Sequence, residues 1–183
     1  MLLAIDTSTH YASVALHDGA HLLAEHTWLA NQDHTRGLMP AIEGLLDGRS
    51  VGQLTAIAVA LGPGSFNGLR VGLSTAKGLA MARGLPLVGA STLEILATEY
   101  GLEEATMNAG RGRVYVWRRT RPDDVDLREG SAPDRVRHAG GLAEIGWQRL
   151  RAGETLQPGK LEPIYVQPPH VTVSHKKAHM QAA

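Results

Sequence analysis

The sequence predicts an α/β protein in which a mixed sheet is covered by helices, and three observations predict it. The first thirty residues carry three short apolar runs separated by polar turns. From about residue 55 onward, strand-length apolar runs alternate with helix-length segments. Hydrophobic residues make up 43% of the chain and charged residues 20%, the balance of a folded globular protein rather than of a disordered one.

Taken in order, Leu2–Asp6, Tyr11–His17 and His21–Leu29 read as an antiparallel meander. Its second turn is Asp18-Gly19, a pair that favours hairpins because both turn positions need positive φ. A helix is expected over Thr35–Leu46, with Asp33 or Thr35 as its cap, Pro40 near its first turn and Asp47-Gly48 at its end. Thr55–Leu61 then reads as a buried strand, Gly68–Arg83 as a helix, Leu85–Gly89 as a strand and Thr92–Tyr100 as a helix. A meander followed by strand, helix, strand, helix is the order of a ribonuclease H-like lobe, two of which build the actin-like ATPase fold. The expected division is therefore a first lobe over residues 1–104 and a smaller second lobe over 105–183. In the second, a hairpin spans Thr106–Thr120, a Pro/Asp/Arg-rich loop Arg121–Val136 and a short helix Leu142–Leu150, before an irregular tail over Leu156–Ala183.

Composition excludes several chemistries. The chain has 183 residues and no cysteine, which removes disulfides, thiolate metal sites and a cysteine nucleophile. No apolar run approaches the roughly 20 residues a membrane span needs, and the N-terminus enters a strand directly, so a cytoplasmic location is expected. Among the nine histidines the H-x-x-x-H spacing occurs at His17/His21, where it spans the Asp18-Gly19 turn and not a helix, and at His175/His179 in the tail; no H-E-x-x-H occurs, so no metal site is expected. Charge is uneven: residues 1–105 hold 5 basic and 10 acidic groups, and residues 106–183 hold 13 and 8. A basic second half suits nucleic acid or an acidic partner, while solvated loop arginines are the plainer reading.

The segment Gly62-Pro63-Gly64-Ser65-Phe66-Asn67-Gly68-Leu69-Arg70 invites a phosphate-loop interpretation. Its spacing refuses it. A P-loop requires G-x-x-x-x-G-K-[ST], but Gly68 is followed by Leu69-Arg70, and a dinucleotide G-x-G-x-x-G would need glycine where Asn67 stands. Ser65 lies in G-P-G-S-F-N-G rather than in a G-x-S-x-G elbow, so a serine peptidase is a weak alternative. What remains is a helix with Gly68, Gly72, Ala76 and Ala80 at intervals of four, a small-residue face for the close approach of either the chain's own sheet or a partner helix. On the preceding helix, Leu38, Ala41 and Leu45 form one apolar row and Met39, Ile42 and Leu46 a second. Together they are wider than the arc one buried face needs, which fits either full burial or association. Asp6-Thr7-Ser8-Thr9 ends the first strand, either as a turn that bonds its own backbone or as a hydroxyl-rich nucleotide turn.

Leu3-Ala4-Ile5-Asp6-Thr7-Ser8-Thr9 and Ala60–Ala80, with Arg113-Val114-Tyr115 and Pro163-Ile164-Tyr165-Val166 in support, resemble the TsaB (YeaZ) family. The resemblance covers most of the chain and is dense over residues 1–100. It implies a two-lobed actin-like fold and a non-catalytic role in making threonylcarbamoyladenosine beside the anticodon of tRNAs that read codons beginning with A. The implied partners are a catalytic TsaD homologue bound as a heterodimer, a TsaE-type ATPase, a second copy through the same helices, and tRNA as the substrate of the complex. It also implies that ATP and Mg2+ are used by that complex, with no cofactor bound by this chain alone. The expected partner-binding residues are Leu38, Met39, Ile42, Leu45, Leu46, Phe66, Leu69, Arg70, Gly72, Leu73, Ala76, Lys77 and Ala80, and Asp6, Thr7 and Ser8 would be a vestigial nucleotide site. Asn108-Ala109-Gly110-Arg111 departs from the family's Asp-Ala-Arg, and the second lobe is short. A stand-alone actin-fold ATPase or kinase using Asp6 is the alternative.

Overall fold

The computed structural model describes residues 1–31 and 33–166. Strands β1 (Leu2–Asp6), β2 (Tyr11–His17) and β3 (Leu22–Leu29) form the meander, followed by helix α1 (His34–Leu46). Strand β4 (Ala56–Gly62), helix α2 (Phe66–Arg83), strand β5 (Leu87–Ser91) and helix α3 (Thr92–Tyr100) then alternate. The five strands make one mixed sheet in the order β3-β2-β1-β4-β5, with β1 antiparallel to β2 and parallel to β4. This is the ribonuclease H-like arrangement that the element order predicts.

Alternation along the strands decides which helix lies where. Leu3, Ile5, Val14, Leu16, Ile57 and Val59 point to one face and are buried against α1 and α2. Leu2, Ala4, Ala15, Ala56, Ala58 and Ala60 point to the other, and their small side chains leave a shallow floor. Helix α4 (Ala139–Arg151) lies on that floor, so close that a Cβ on Gly146 would stand 2.9 Å from Ala58 Cβ. The wide apolar arc of α1 is explained the same way: Leu38, Ile42, Leu45 and Leu46 are all buried in the first of these cores, and Met39 is exposed.

The second sheet is antiparallel, β6 (Glu104–Gly110), β7 (Arg113–Arg118) and β8 (Arg121–Glu129) in sequential order. Trp117, Ala105 and Met107 seal it against Leu93, Leu96 and Ala97 of α3. Two expectations are corrected here. Arg121–Glu129 is a strand and not a loop, held by its pairing to β7 and by Asp126, which accepts from both Arg118 and Arg128 at 3.0 Å. Helix α4 belongs to the first sheet, so the division at residues 104 and 105 parts two sheets and not two complete lobes. Of the expected tail, Leu156 pairs with Leu87, Pro158–Lys160 forms one 3-10 turn and Ile164 donates its N–H to Leu61 at 2.7 Å. His170, His175 and His179 lie outside the described residues.

Candidate functional site

The C-terminal ends of β1 and β4 bring the sequence-flagged residues together. Asp6, Thr7 and Ser8 leave β1 fully buried, and the glycine-rich segment leaves β4 immediately beside them. Ser65 N donates to the carbonyl oxygen of Ser8 at 2.7 Å, and Thr7 Oγ1 donates to the carbonyl oxygen of Gly68 at 2.7 Å. Three glycines are required for this. A Cβ on Gly64 would collide with the carbonyl oxygen of Ser8, one on Gly68 with that of Thr7, and one on Gly72 with Thr7 Oγ1. The conspicuous motif is therefore a docking of loop and helix onto the end of β1. Two of its backbone donors are spent inside the chain, because Ser65 N meets Ser8 and Gly68 N meets the capping Ser65 Oγ at 3.3 Å.

The Asp6 carboxylate is likewise saturated. Oδ1 accepts from Ser8 N at 2.8 Å and from Ser8 Oγ, and Oδ2 faces Nε of Arg137 at 3.4 Å. Arg137 sends Nη2 to Ser8 Oγ at 3.1 Å and Nη1 to the Met107 sulfur at 3.5 Å, so one guanidinium touches β1, the turn after it and β6. Both ion-pair side chains are 3% exposed. An ion pair this deep persists because each partner neutralises the other and the remaining donors and acceptors are met. Arg137 stands 131 residues from Asp6 in a segment without regular structure, and nothing local in the sequence marks it. His34, at the start of α1, is also buried here and donates Nε2–H to the carbonyl oxygen of Thr9 at 2.7 Å.

Beside this cluster lies a cleft of about 310 Å³ lined by Thr9, His10, Gly64, Thr106, Asn108 and Arg135 among others. In actin-like ATPases the carboxylate at the end of the first strand faces metal and phosphates. The residues present here do not fit that ligand: the carboxylate holds an arginine, the Ser65 and Gly68 N–H groups are engaged, and Asn108 is tied in both directions to the backbone of Ala132 at 2.8 Å. No group of three or more metal-ligating side chains occurs among the described residues. Ser65 serves as the α2 cap, and among the described residues no histidine or carboxylate is hydrogen-bonded to its hydroxyl.

The expected partner surface divides sharply by burial. Leu38, Ile42, Leu45 and Leu46 on α1 and Leu69, Gly72, Leu73, Ala76 and Ala80 on α2 lie inside the chain's own core, so the small-residue face serves its own sheet. That corrects the placement of a partner on those nine residues. Of the expected set, Met39 and Arg70 are exposed and Phe66 and Lys77 partly so. Phe66, Arg70, Ser74, Lys77 and Met81 share the outward face of α2, since helical positions separated by three or four residues stack. Arg70 lies over the Phe66 ring at 3.9 Å, Tyr165 packs on that ring at 5.4 Å, and Met81 is 71% exposed. Met81 is the exposed apolar side chain of this face that the sequence pattern missed, because it falls outside the apolar rows. A second cleft of about 330 Å³ runs between this face and Leu161–Tyr165.

The uneven charge is absorbed internally. Asp6, Glu94, Glu99, Glu103 and Glu104, five of the ten acidic groups of the first half, pair with Arg137, Arg149, His138, Arg119 and Arg118 of the second. Polarity along the sequence is thus largely a device for joining the two halves.

The fold and this cluster define an actin-like, ribonuclease H-like protein, and the model of the tRNA N6-adenosine threonylcarbamoyltransferase family, TsaD, matches residues 28–156. The chain belongs to that family and, within it, to the TsaB (YeaZ) proteins. It is similar to the tRNA threonylcarbamoyladenosine biosynthesis protein TsaB of Escherichia coli K12, at 34% identity over 74% of this chain and 61% of that one. It is similar to TsaB of Bacillus subtilis 168, at 37% identity over 63% of this chain and 53% of that one. The chain thus spans between half and two thirds of the length of these relatives. The solved structure of YeaZ from Pseudomonas aeruginosa superposes with a TM-score of 0.74 at 28% identity, covering 90% of this chain and 99% of that one.

Proposed function

We propose that the chain is a non-catalytic subunit of the machinery that places threonylcarbamoyl on the adenosine beside the anticodon of tRNA, acting by pairing with a TsaD-type transferase and activating it. One observation carries the reading. The strand-end carboxylate on which an actin-like ATPase depends is held by Arg137 inside the chain, with 3% of either side chain exposed. Group transfer needs a reactive or ligand-binding group in reach of the substrate. The chain instead offers the outward face of α2, where an aromatic ring, two cations and an exposed methionine stand in line. Aromatic, Met and Arg side chains are the types enriched at the centres of protein interfaces.

In this reading ATP and Mg2+ are used by the assembled complex, a TsaE-type ATPase joins it, and tRNA is its substrate. The same α2 face serves a second copy when the transferase is absent. The test is co-purification of the chain with a TsaD homologue, followed by tRNA modification with TsaE, ATP and Mg2+ present. The expected result is a stable pair and a modification rate raised at least tenfold by the chain. Absence of both pairing and stimulation overturns the proposal. Millimolar-range or tighter Mg-ATP hydrolysis by the isolated chain would favour the ATPase alternative.

A further inference from the structure

The residues around Asp6 disagree with the ligand their fold is built for, and the disagreement is specific. Arg137 places a positive guanidinium on the carboxylate oxygen that would otherwise face a ligand's cation, and hydrogen-bonds the hydroxyl of the same turn at 3.1 Å. We propose that Arg137 is a built-in countercation which replaces the metal and nucleotide as the group that closes the cleft. It holds the β6–β7–β8 sheet onto the first sheet with no ligand bound. Three contacts make it a bridge and not only a neutralising charge. Nε and Nη2 reach Asp6 and Ser8 at the end of β1, and Nη1 reaches Met107 on β6. Its position is fixed from both sides, since Ala132 five residues earlier is clamped by Asn108 of β6, and His138 immediately after it stands at the start of α4 and bonds Glu99 of α3. The segment 130–138 is therefore stapled to β6 at one end and to α3 and α4 at the other, with the guanidinium inserted between.

A ligand-closed relative opens when its ligand leaves, because the closed state is stabilised only by differential binding. A covalently attached cation cannot leave. The chain is accordingly expected to stay closed whatever the nucleotide concentration. This inference rests on the contacts of Arg137 and its flanking segment, so it stands or falls separately from the partner role.

The experiment compares wild type with Arg137→Ala, Asp6→Asn and the Asp6→Asn/Arg137→Ala pair by thermal unfolding and amide hydrogen exchange. Arg137→Ala leaves a buried carboxylate unpaired and should lower Tm by on the order of 10 °C. It should also speed exchange in residues 104–118 relative to β1 and β4. Low-millimolar methylguanidinium, which fits the space vacated beside Asp6, should restore part of that loss. The double variant should be more stable than Arg137→Ala and indifferent to methylguanidinium, because no carboxylate remains to hold it. Wild type should show no Tm change with millimolar Mg-ATP. The proposal is overturned if the double variant loses the sum of the two single losses, if methylguanidinium rescues both variants equally, or if Mg-ATP stabilises wild type in a manner that Asp6→Asn removes. Should Arg137→Ala not fold, folding of the double variant supports the proposal and its failure to fold overturns it.

Discussion

Gly68 and Gly78 occupy the same helix and differ in what a methyl group would meet. At Gly68 it strikes the carbonyl oxygen of Thr7, backbone that cannot give way, while at Gly78 nothing lies within 4 Å. Gly78→Ala is therefore expected to stabilise the protein by about 0.5–1 kcal/mol, the usual helical difference between the two residues. Gly68→Ala is expected to cost about 2 kcal/mol or more, since overpacking a closed contact outweighs the propensity gain. Urea unfolding of both variants checks the pair, and an equal gain for both would show that α2 does not dock on β1 as described. The spacing of four in Gly68, Gly72, Ala76 and Ala80 was legible in the sequence as a demand for close packing. Which surface makes the approach was not legible, because the answer lies in Thr7, some sixty residues away. Arg137 is the extreme case, since an arginine in an unpatterned segment carries no mark of the aspartate it will meet.

At the scale of elements, α2 has two faces with separate duties. Reversing charge on the outward one, Arg70→Glu with Lys77→Glu, is expected to weaken association with the TsaD homologue by roughly tenfold, about 1.4 kcal/mol, and to leave Tm within about 1 °C. Titration calorimetry with a matched melt checks this, and unchanged affinity would move the interface off α2. The start of α4 makes a pH prediction. Glu99 bonds the His138 ring at 2.5 Å and raises its pKa above the ordinary 6.5, with burial opposing that shift and Glu25 aiding it. A raised folded-state pKa means that the contribution is fully present below the unfolded value and fades as pH rises through the folded one. Stability should thus fall on going from pH 6 toward 8 by an amount that Glu99→Gln largely removes, as followed by thermal melts across that range. Strands β1 and β2 and helix α3 were readable to within a residue because period and caps agree, Ser91 and Glu94 forming a complete capping box around the α3 start. Strand β8 was not, because in Arg121–Glu129 the apolar alternation is confined to Val125 and Leu127, and the segment is a strand by virtue of its partner and its charges.

The whole molecule is joined by long-range pairings that a local pattern does not carry. Helix α4 reads as part of a second lobe by position, yet its small residues, Ala139, Ala143 and Gly146, fit the alanine floor of the first sheet. The surplus of acid in one half and base in the other is consumed by ion pairs between the halves, with Arg149 gripping both Glu94 oxygens at 2.7 and 2.9 Å. No helix among the described residues is long and apolar enough to cross a membrane. A chain so closed upon itself supports a role exercised through its surface.

The most direct test of that role is tRNA modification by a TsaD homologue with TsaE, ATP and Mg2+, supplemented with wild type or with the Asp6→Asn/Arg137→Ala chain. The account predicts that modification depends on the added chain, and that the double variant, once folded, stimulates to within about twofold of wild type. Modification that proceeds equally without the chain, or that is lost with the folded double variant, would contradict it.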